Sequence, residues 1–270
     1  QGGQPVKQFQ ATQARLRRVF VVGVCGFTLL SAVPAWADFP DTVAEIKRSV
    51  VAVGTVSVLR NPRFRFLGTG FVVGDGNQIV TNAHVVQAAP EGDENEKLVI
   101  VFPNAERASE RFMARPIKKE MSDPDHDLAL LRFDGPPMPA VRMGDSDAVR
   151  DGQDVALTGF PLGGSIGIVP VTHKGIISAI TPVGQPLPSS RQLDSQAVRR
   201  LSGGRYSVLQ LDIVSYPGNS GSPLYDANTG EVLGILNMVF IKGSKEAALT
   251  NPSGISYAIP VSFLKLLIKP

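Results

Sequence analysis

Apolar residues in this sequence come in short runs that are rich in β-branched side chains and end at Gly, Pro or Asn. Runs of this length are typical of strands and are too short for helices that pack in a core. Five of them precede residue 134 and five follow it: 50–59, 68–73, 78–81, 98–102, 128–133, 155–160, 175–180, 207–214, 231–240 and 254–259. The pattern predicts a protein built mainly of strands.

The runs form two sets that a Pro-rich stretch at 135–139 separates. Two sets of about six strands predict an all-β fold of two antiparallel β-barrels side by side. We expect the first barrel at about 41–135 and the second at about 140–259. A short helix is expected at each end, at 42–48 and at 260–268, where apolar residues have helical spacing.

The first 37 residues differ from the rest in charge and apolar content. An arginine-rich segment at 15–18 precedes an apolar run at 19–30, and small residues occupy positions 35 and 37. This order is typical of a secretory signal peptide that is cleaved before Asp38, here with a disordered preface. An uncleaved membrane anchor is the alternative, although Ser31 and Pro34 interrupt the apolar stretch.

The excess of basic residues belongs to this leader. The sequence holds 27 Lys and Arg against 24 Asp and Glu, but residues 38–270 hold 23 basic and 24 acidic side chains. Nucleic acid is therefore not expected as a partner. The one cysteine, Cys25, also lies in the leader, so the mature chain from residue 38 is expected to lack disulfides. Export without disulfides favours a bacterial periplasm or an extracellular location.

The segment GNSGSPL at 218–224 places Ser220 between glycines. A serine hydroxyl is a weak nucleophile until a base removes its proton, and the base needs a carboxylate to fix its tautomer. Gly218 would let the chain turn so that its N–H and that of Ser220 enter one small space, beside Asn219. Two such donors stabilise an oxyanion. In isolation such a run is typical of an ordinary turn, but two other segments supply the missing partners.

His84 is the candidate base, because it follows the apolar strand that ends at Asn82 and a strand end aims a side chain rigidly. The other histidines, His126 in a charged loop and His173, are expected to be structural. No group of residues has the spacing of metal ligands.

Asp127 is the candidate carboxylate, because it lies directly before the strand at 128–133. A mere strand cap is the alternative. Asp123 and Asp125 lie farther out in the same loop and are expected in solvent.

These segments together resemble a known family. The order TNAHVV at 81–86, DLALL at 127–131 and GNSGSPL is similar to the trypsin-like (chymotrypsin-fold) serine peptidases. Further segments resemble the protease domain of the HtrA (Deg) family: GTGFVV at 68–73, GDSD at 144–147, GFPLG at 159–163, GIISA at 175–179 and GISYAIPV at 254–261. The resemblance implies His84 as general base, Asp127 as orienting acid, Ser220 as nucleophile, and Gly218 through Ser220 as the oxyanion loop.

Two departures from the family pattern matter. HtrA proteins usually carry a PDZ domain after the protease, whereas this sequence ends at Pro270, so PDZ-mediated peptide binding is not expected within it. The usual GNSGG is here GNSGS, with Ser222, which also resembles glutamyl endopeptidases. Those enzymes bind an acidic side chain with a histidine after a Gly-Ile pair, whereas Leu236 and Asn237 stand here, which disfavours that alternative.

The primary specificity pocket is expected to be apolar. Trypsin holds Lys or Arg with an acid six residues before its nucleophile, and this position is Val214, followed by Ser215. With Leu236 and Met238 on the opposite wall, the pocket would prefer small or medium aliphatic side chains.

Activation is also expected to differ from that of digestive proteases, in which a new N-terminal amine pairs with an aspartate just before the nucleophile. That position is the uncharged Asn219, so we expect neighbouring loops or subunit contacts to order the oxyanion loop. A homotrimer is implied by the HtrA resemblance alone, with Phe39 and Phe64 or Phe66 as candidate contacts.

The sequence thus predicts an exported serine endopeptidase that cleaves polypeptides, in particular unfolded or misfolded ones, after apolar residues. The reaction would pass through an acyl-enzyme and would need no metal or organic cofactor. A catalytically silent scaffold or chaperone is one alternative. An esterase that uses the same triad on small acyl substrates is another.

Overall fold

The computed structural model describes residues 38–90, 95–103, 114–163, 167–182, 206–237 and 255–268. Their strands form two closed barrels of six antiparallel strands each. The predicted all-β fold with two such barrels is confirmed. The predicted signal peptide at 1–37 lies outside the described residues.

The first barrel closes because β4 pairs with β1, so that Ala52 lies opposite Val101. The spatial order of its strands is β1-β2-β3-β6-β5-β4. Their bounds are β1 Val50–Ser57, β2 Phe64–Val73, β3 Gln78–Asn82, β4 Glu96–Val101, β5 Ala114–Asp123 and β6 Leu128–Phe133.

The second barrel repeats this arrangement and closes where β10 pairs with β7, with Leu224 opposite Leu157. The spatial order is β10-β11-β12-β9-β8-β7. The bounds are β7 Asp154–Gly159, β8 Val171–Pro182, β9 Ser207–Asp212, β10 Pro223–Asp226, β11 Val232–Leu236 and β12 Ile255–Pro260.

Each barrel has its own apolar interior, and a third cluster joins the two barrels. That shared cluster contains Phe71 and Leu130 of the first barrel and Tyr225 and Ile259 of the second, all of them buried. Burying one such side chain stabilises the fold by about 1.5–3 kcal/mol. The hydroxyl of Tyr225 contacts that of Thr158 at 3.0 Å, and burial raises the pKa of the Tyr225 phenol. The barrels are thus packed against each other through a continuous core.

Three α-helices and one 3-10 helix accompany the strands in the described part of the chain: α1 Phe39–Lys47, α2 Ala83–Gln87, α3 Val261–Ile268 and the 3-10 helix Ser146–Ala148. Helices α1 and α3 match the predicted terminal helices to within three residues. The short α2 was not predicted. No helix among the described residues is long and apolar enough to cross a membrane.

Strand β5 was also missed by the apolar pattern. Of its ten residues only Ile117 is buried, and the others, mostly charged, polar or small but including Met121, lie at or near the surface. The strand is held by its ladders to β4 and β6 rather than by an apolar face.

Candidate active site

His84 lies in the first turn of α2, directly after β3. The N–H of the preceding Ala83 donates to the main-chain carbonyl of Asp127 at 3.0 Å, which joins the end of β3 to the start of β6. The imidazole is 31% exposed, so it is anchored by its backbone yet open on one side.

Asp127 meets this histidine through both carboxylate oxygens. One oxygen lies 2.6 Å from His84 Nδ1, and the other accepts the main-chain N–H of His84 at 2.9 Å. A carboxylate at Nδ1 favours the tautomer with its proton there and leaves Nε2 with a lone pair. The structure therefore brings the predicted base and carboxylate together.

The backbone of Asp127 has a φ of 54°, in the left-handed region that few residues other than glycine adopt. This conformation ends the turn at 123–127 and turns the chain into β6. Aspartate tolerates it better than most residues, and here it directs the carboxylate at His84.

Asn237 is a third partner of this pair, and the sequence pattern assigned it no role. Its side-chain N–H donates to the Asp127 carboxylate at 2.8 Å, and its main-chain N–H donates to the carbonyl of Tyr257 at 2.8 Å. The residue is buried at the end of β11. Its position, a polar residue that ends an apolar strand, matches that of Asn82 in β3. This position was the signal in the sequence that could have marked Asn237 as a candidate site residue.

Ser220 lies in the loop between β9 and β10 and is 7% exposed. Every carbonyl of residues 216–220 accepts a hydrogen bond. The donors are Asn219 N for Tyr216 O (3.0 Å), Leu162 N for Pro217 O (2.8 Å), Thr69 Oγ1 for Gly218 O (2.8 Å), Ser222 N for Asn219 O (2.9 Å) and Thr69 N for Ser220 O (2.9 Å). The loop is thus held at each peptide.

The N–H groups of Gly218 and Ser220 donate no hydrogen bond within the described part of the chain. Stabilisation of an oxyanion requires hydrogen-bond donors that are free and held in place. These two N–H groups are free among the described residues, and the engaged carbonyls hold the loop. Gly218 has a φ of 105°, and a β-carbon there would collide with the carbonyl of Phe160. Only glycine fits this position.

The backbone of Ser220 packs close to the helix that carries His84. A β-carbon added at Gly68 would lie 2.8 Å from the side chain of Val85 and 3.1 Å from the Ser220 carbonyl oxygen. Gly68 of β2 is therefore a shared neighbour of α2 and the loop that carries Ser220. At the next residue of the loop, a β-carbon on Gly221 would lie 2.5 Å from Thr81 Oγ1. These close approaches explain why glycine occupies both positions.

The predicted pocket residues differ in how exposed they are. Val214 is 38% exposed, whereas the buried Ser215 hydroxyl contacts the Ser256 hydroxyl at 2.6 Å. The side chain of Leu236 is fully buried in the core of the second barrel, and its carbonyl accepts the N–H of Gly221 at 3.0 Å. Met238 lies outside the described residues.

A second imidazole–carboxylate pair lies beside the first. Asp123, which we expected in solvent, is 2.6 Å from His126 Nδ1 and accepts the N–H groups of Asp125 and His126 at 3.1 Å. The His126 ring stacks on Phe263 of α3 with 3.9 Å between centroids, and Tyr206 meets it edge-on at 4.7 Å. This pair therefore braces the turn that leads into Asp127.

The third histidine, His173 on β8, has a half-buried ring. Its Nε2 is buried without a hydrogen-bond partner in the described part of the chain, and burial lowers the pKa of this imidazole. No three His, Cys, Asp or Glu side chains group as metal ligands among the residues that the structure describes.

Comparison with protein families gives one model match, the trypsin-like peptidase domain, over residues 68–235. Two similar curated proteins are both described as a probable periplasmic serine endoprotease, DegP-like. The one from Pseudomonas putida W619 is 33% identical over 195 residues, 72% of this chain and 32% of the relative. The one from Halomonas elongata is 32% identical over 199 residues, 73% of this chain and 33% of the relative. The chain thus spans about a third of their length.

Solved structures share the fold. The HtrA-type protease AlgW with a tripeptide superposes with a TM-score of 0.58 at 23% identity, covering 85% of this chain and 62% of AlgW. Deg5 superposes with a TM-score of 0.59 at 23% identity, covering 84% of this chain and 90% of Deg5.

Proposed function

Because the chain belongs to the trypsin-like peptidase domain family, we propose that it is a serine endopeptidase in which His84, Asp127 and Ser220 form the catalytic triad. The observation that supports this most is the contact of 2.6 Å between His84 Nδ1 and the Asp127 carboxylate. It lies beside a loop that presents a serine and two unused N–H groups. This set of groups is what acyl transfer by a serine requires.

In the proposed reaction His84 Nε2 takes the proton of the Ser220 hydroxyl while the serine oxygen attacks the carbonyl carbon of a peptide bond. The carbonyl oxygen becomes an oxyanion that the N–H groups of Gly218 and Ser220 stabilise. His84 then gives its proton to the leaving nitrogen, and the C–N bond breaks. Water then attacks the resulting ester while His84 takes its proton. His84 gives this proton to the serine oxygen as the C–O bond breaks, which releases the acid and restores Ser220.

The carboxylate of Asp127 stabilises the positive imidazole that forms in both steps. Three donors converge on it: the ring N–H and main-chain N–H of His84 and the amide of Asn237. Hydrogen bonds to a charged group contribute about 1.5–3 kcal/mol each. They also keep the carboxylate from rotating away from the ring.

For the substrate, we propose polypeptides with an aliphatic residue before the cleaved bond. Val214 supplies an exposed apolar side chain six residues before Ser220, and the Ser215 hydroxyl is engaged by Ser256. A pocket beside these two residues would carry no charge to hold a basic side chain. Unfolded proteins offer such residues in accessible form.

We also propose that residues 1–37 are a signal peptide, that 38–270 form the peptidase domain and that the chain is exported. The order of charged and apolar residues in the leader supports export, as do the periplasmic names of the relatives from Pseudomonas putida and Halomonas elongata. A homotrimer is proposed on the HtrA resemblance alone.

A fluorophosphonate probe tests the proposal directly, because it forms a covalent bond only with an activated serine. The full chain is expected to be labelled and to hydrolyse casein, whereas Ser220→Ala and His84→Ala, folded by circular dichroism, are expected to do neither. A folded wild-type chain that stays unlabelled would favour a silent scaffold or chaperone. Labelling with ester turnover but without casein cleavage would favour an esterase.

A further inference from the structure

Thr69, in the middle of β2, is fully buried and bonds to three separate segments of the site. Its hydroxyl donates to the Gly218 carbonyl at 2.8 Å and accepts the N–H of Phe160 at 3.1 Å. Its main-chain N–H donates to the Ser220 carbonyl at 2.9 Å, and its own carbonyl accepts the Thr81 hydroxyl at 2.7 Å. One residue of the first barrel thus bonds to the loop that carries Ser220 at two carbonyls, those of Gly218 and Ser220.

The orientation of Gly218 N–H depends on two neighbouring carbonyls. In a trans peptide the N–H and C=O point in opposite directions. The Pro217 carbonyl, in the same peptide as Gly218 N–H, is held by Leu162 N–H at 2.8 Å. The Gly218 carbonyl, on the other side of the residue, is held by the Thr69 hydroxyl. Both peptides that flank Gly218 are therefore fixed from outside the loop.

The turn at 160–163 that supplies Leu162 N–H has a strained backbone. Leu162 has a φ of 58°, which is unfavourable for a branched side chain, and Gly163 follows at 50°. Such a conformation persists only where surrounding contacts enforce it. The Thr69 hydroxyl holds the first residue of this turn, and the Phe66 ring packs edge-on against Phe160 with 6.3 Å between centroids.

The loop is not held through the side chain that precedes the nucleophile. The Asn219 amide is fully buried, and neither its oxygen nor its nitrogen has a hydrogen-bond partner in the part of the chain that the structure describes. Order in the loop must therefore come from other residues, and the contacts that fix its peptides lead to Thr69.

We propose that Thr69 is a positioning residue for the oxyanion loop. Its single hydroxyl joins the Gly218 carbonyl to the turn at 160–163, and so sets the direction of the Gly218 N–H group. This inference rests on the proposed peptidase function. It adds that a buried hydroxyl of the first barrel keeps the oxyanion donors in place.

The test compares Thr69→Val with Thr69→Ser in the full chain. Valine keeps the shape of threonine but lacks the hydroxyl, so kcat for a peptide anilide is expected to fall about tenfold to a hundredfold with little change in KM, less than the loss of an oxyanion donor itself. The affinity for a peptide boronate, whose tetrahedral adduct fills the oxyanion site, should fall by a similar factor. Serine restores the hydroxyl and should recover most of both.

Thr158→Val is the matched control, because the Thr158 hydroxyl is equally buried and contacts the hydroxyls of Thr172 and Tyr225, both residues of the second barrel. It should lower the melting temperature without lowering boronate affinity. If Thr69→Val does not fold, Thr69→Ala takes its place with the same expected losses.

Wild-type kcat and boronate affinity in a folded Thr69→Val or Thr69→Ala chain would overturn the inference, as would equal losses in Thr158→Val. In both cases the Ser220→Ala result still stands, so the proposed function survives. A wild-type chain that does not react with the fluorophosphonate removes the proposed function itself.

Discussion

The two imidazole–carboxylate pairs have the same separation of 2.6 Å but different surroundings. Asp127 reaches His84 across 43 residues of sequence and is held by Asn237 of the other barrel. Asp123 binds a histidine three residues away within one turn, and that ring is packed against Phe263 and Tyr206. The separation of the two groups alone therefore does not distinguish the proposed general base from the other histidine. The two pairs differ instead in their connections. The first pair is bonded to a third element through Asn237, and it is proposed to leave a ring nitrogen for a nucleophile.

The second pair has a structural role that complements the first. Its two side chains are 24% and 26% exposed, so the ion pair contributes at most about 1 kcal/mol. Together with the ring of Phe263 it fixes the turn from which Asp127 enters the site.

The largest contrast is expected between the two histidines. His84→Ala or Ser220→Ala should lower kcat for a peptide anilide by about 10⁶-fold, the loss measured when the serine or histidine of the subtilisin triad is removed. His126→Ala should lower it less than about tenfold, since its ring accepts no proton from a nucleophile. Equal losses in the two histidine variants, each folded by circular dichroism, would show that the pairs have been assigned the wrong roles.

The two aspartate variants should differ in kcat in the same direction as the two histidine variants. Asp127→Asn is expected to lower kcat about 10⁴-fold, because the amide stabilises the wrong tautomer of His84. Asp123→Asn keeps an oxygen for the N–H groups of its turn and should cost less than about 1 kcal/mol of unfolding free energy. Steady-state kinetics and urea unfolding measure the two effects. If Asp123→Asn loses turnover by roughly a thousandfold or more, the comparison is contradicted.

Asn237→Ala should lower kcat about tenfold, since it removes one donor to the charged Asp127. Asn77 offers a matched control, because its side-chain N–H donates to the neutral carbonyls of Phe133 and Gly135 at 3.3 and 2.9 Å. Asn77→Ala should lower the melting temperature and leave kcat unchanged. If both variants lose activity only in proportion to stability, Asn237 has no role in holding the carboxylate.

The smallest effect concerns His173, which has no carboxylate paired with it among the residues that the structure describes. Burial lowers the pKa of this imidazole, so the unfolded chain binds the proton more readily than the folded one. Stability should therefore fall as the pH drops below about 6.5, the ordinary value for histidine. The lowered carboxylate pKa values, such as that of Asp75 beside Arg132, affect stability only at more acidic pH. Urea unfolding of His173→Phe between pH 5 and 7 should show a flatter profile than the wild type, and an unchanged profile would contradict it.

The two barrels could be predicted from the sequence because a strand with an apolar inner face leaves a local pattern. Strand β5 leaves none, since nine of its ten residues are not buried. The five-residue α2 is too short for a helical spacing of apolar residues to be recognised in the sequence. The segments of the proposed base and carboxylate could be selected from the sequence because one follows and the other precedes an apolar strand, and the segment of Ser220 because glycines flank the serine.

Contacts between distant residues could not be predicted in this way. Asn237 bonds to Asp127 over 110 residues, and Thr69 bonds to Gly218 over 149. No local pattern distinguishes these polar residues from others that end a strand or lie within one. Asp123 was placed in solvent for a similar reason, since the rings of Tyr206 and Phe263 that cover its partner come from other elements.

The division of the site between the barrels has a consequence for biogenesis. The proposed base and its carboxylate belong to the first barrel, which is synthesised before the second barrel that carries the proposed nucleophile. In the proposed mechanism, a chain whose second barrel has not yet folded has no activated serine and is expected not to cleave neighbouring proteins. Under the proposed mechanism, peptide hydrolysis therefore requires that both barrels have folded.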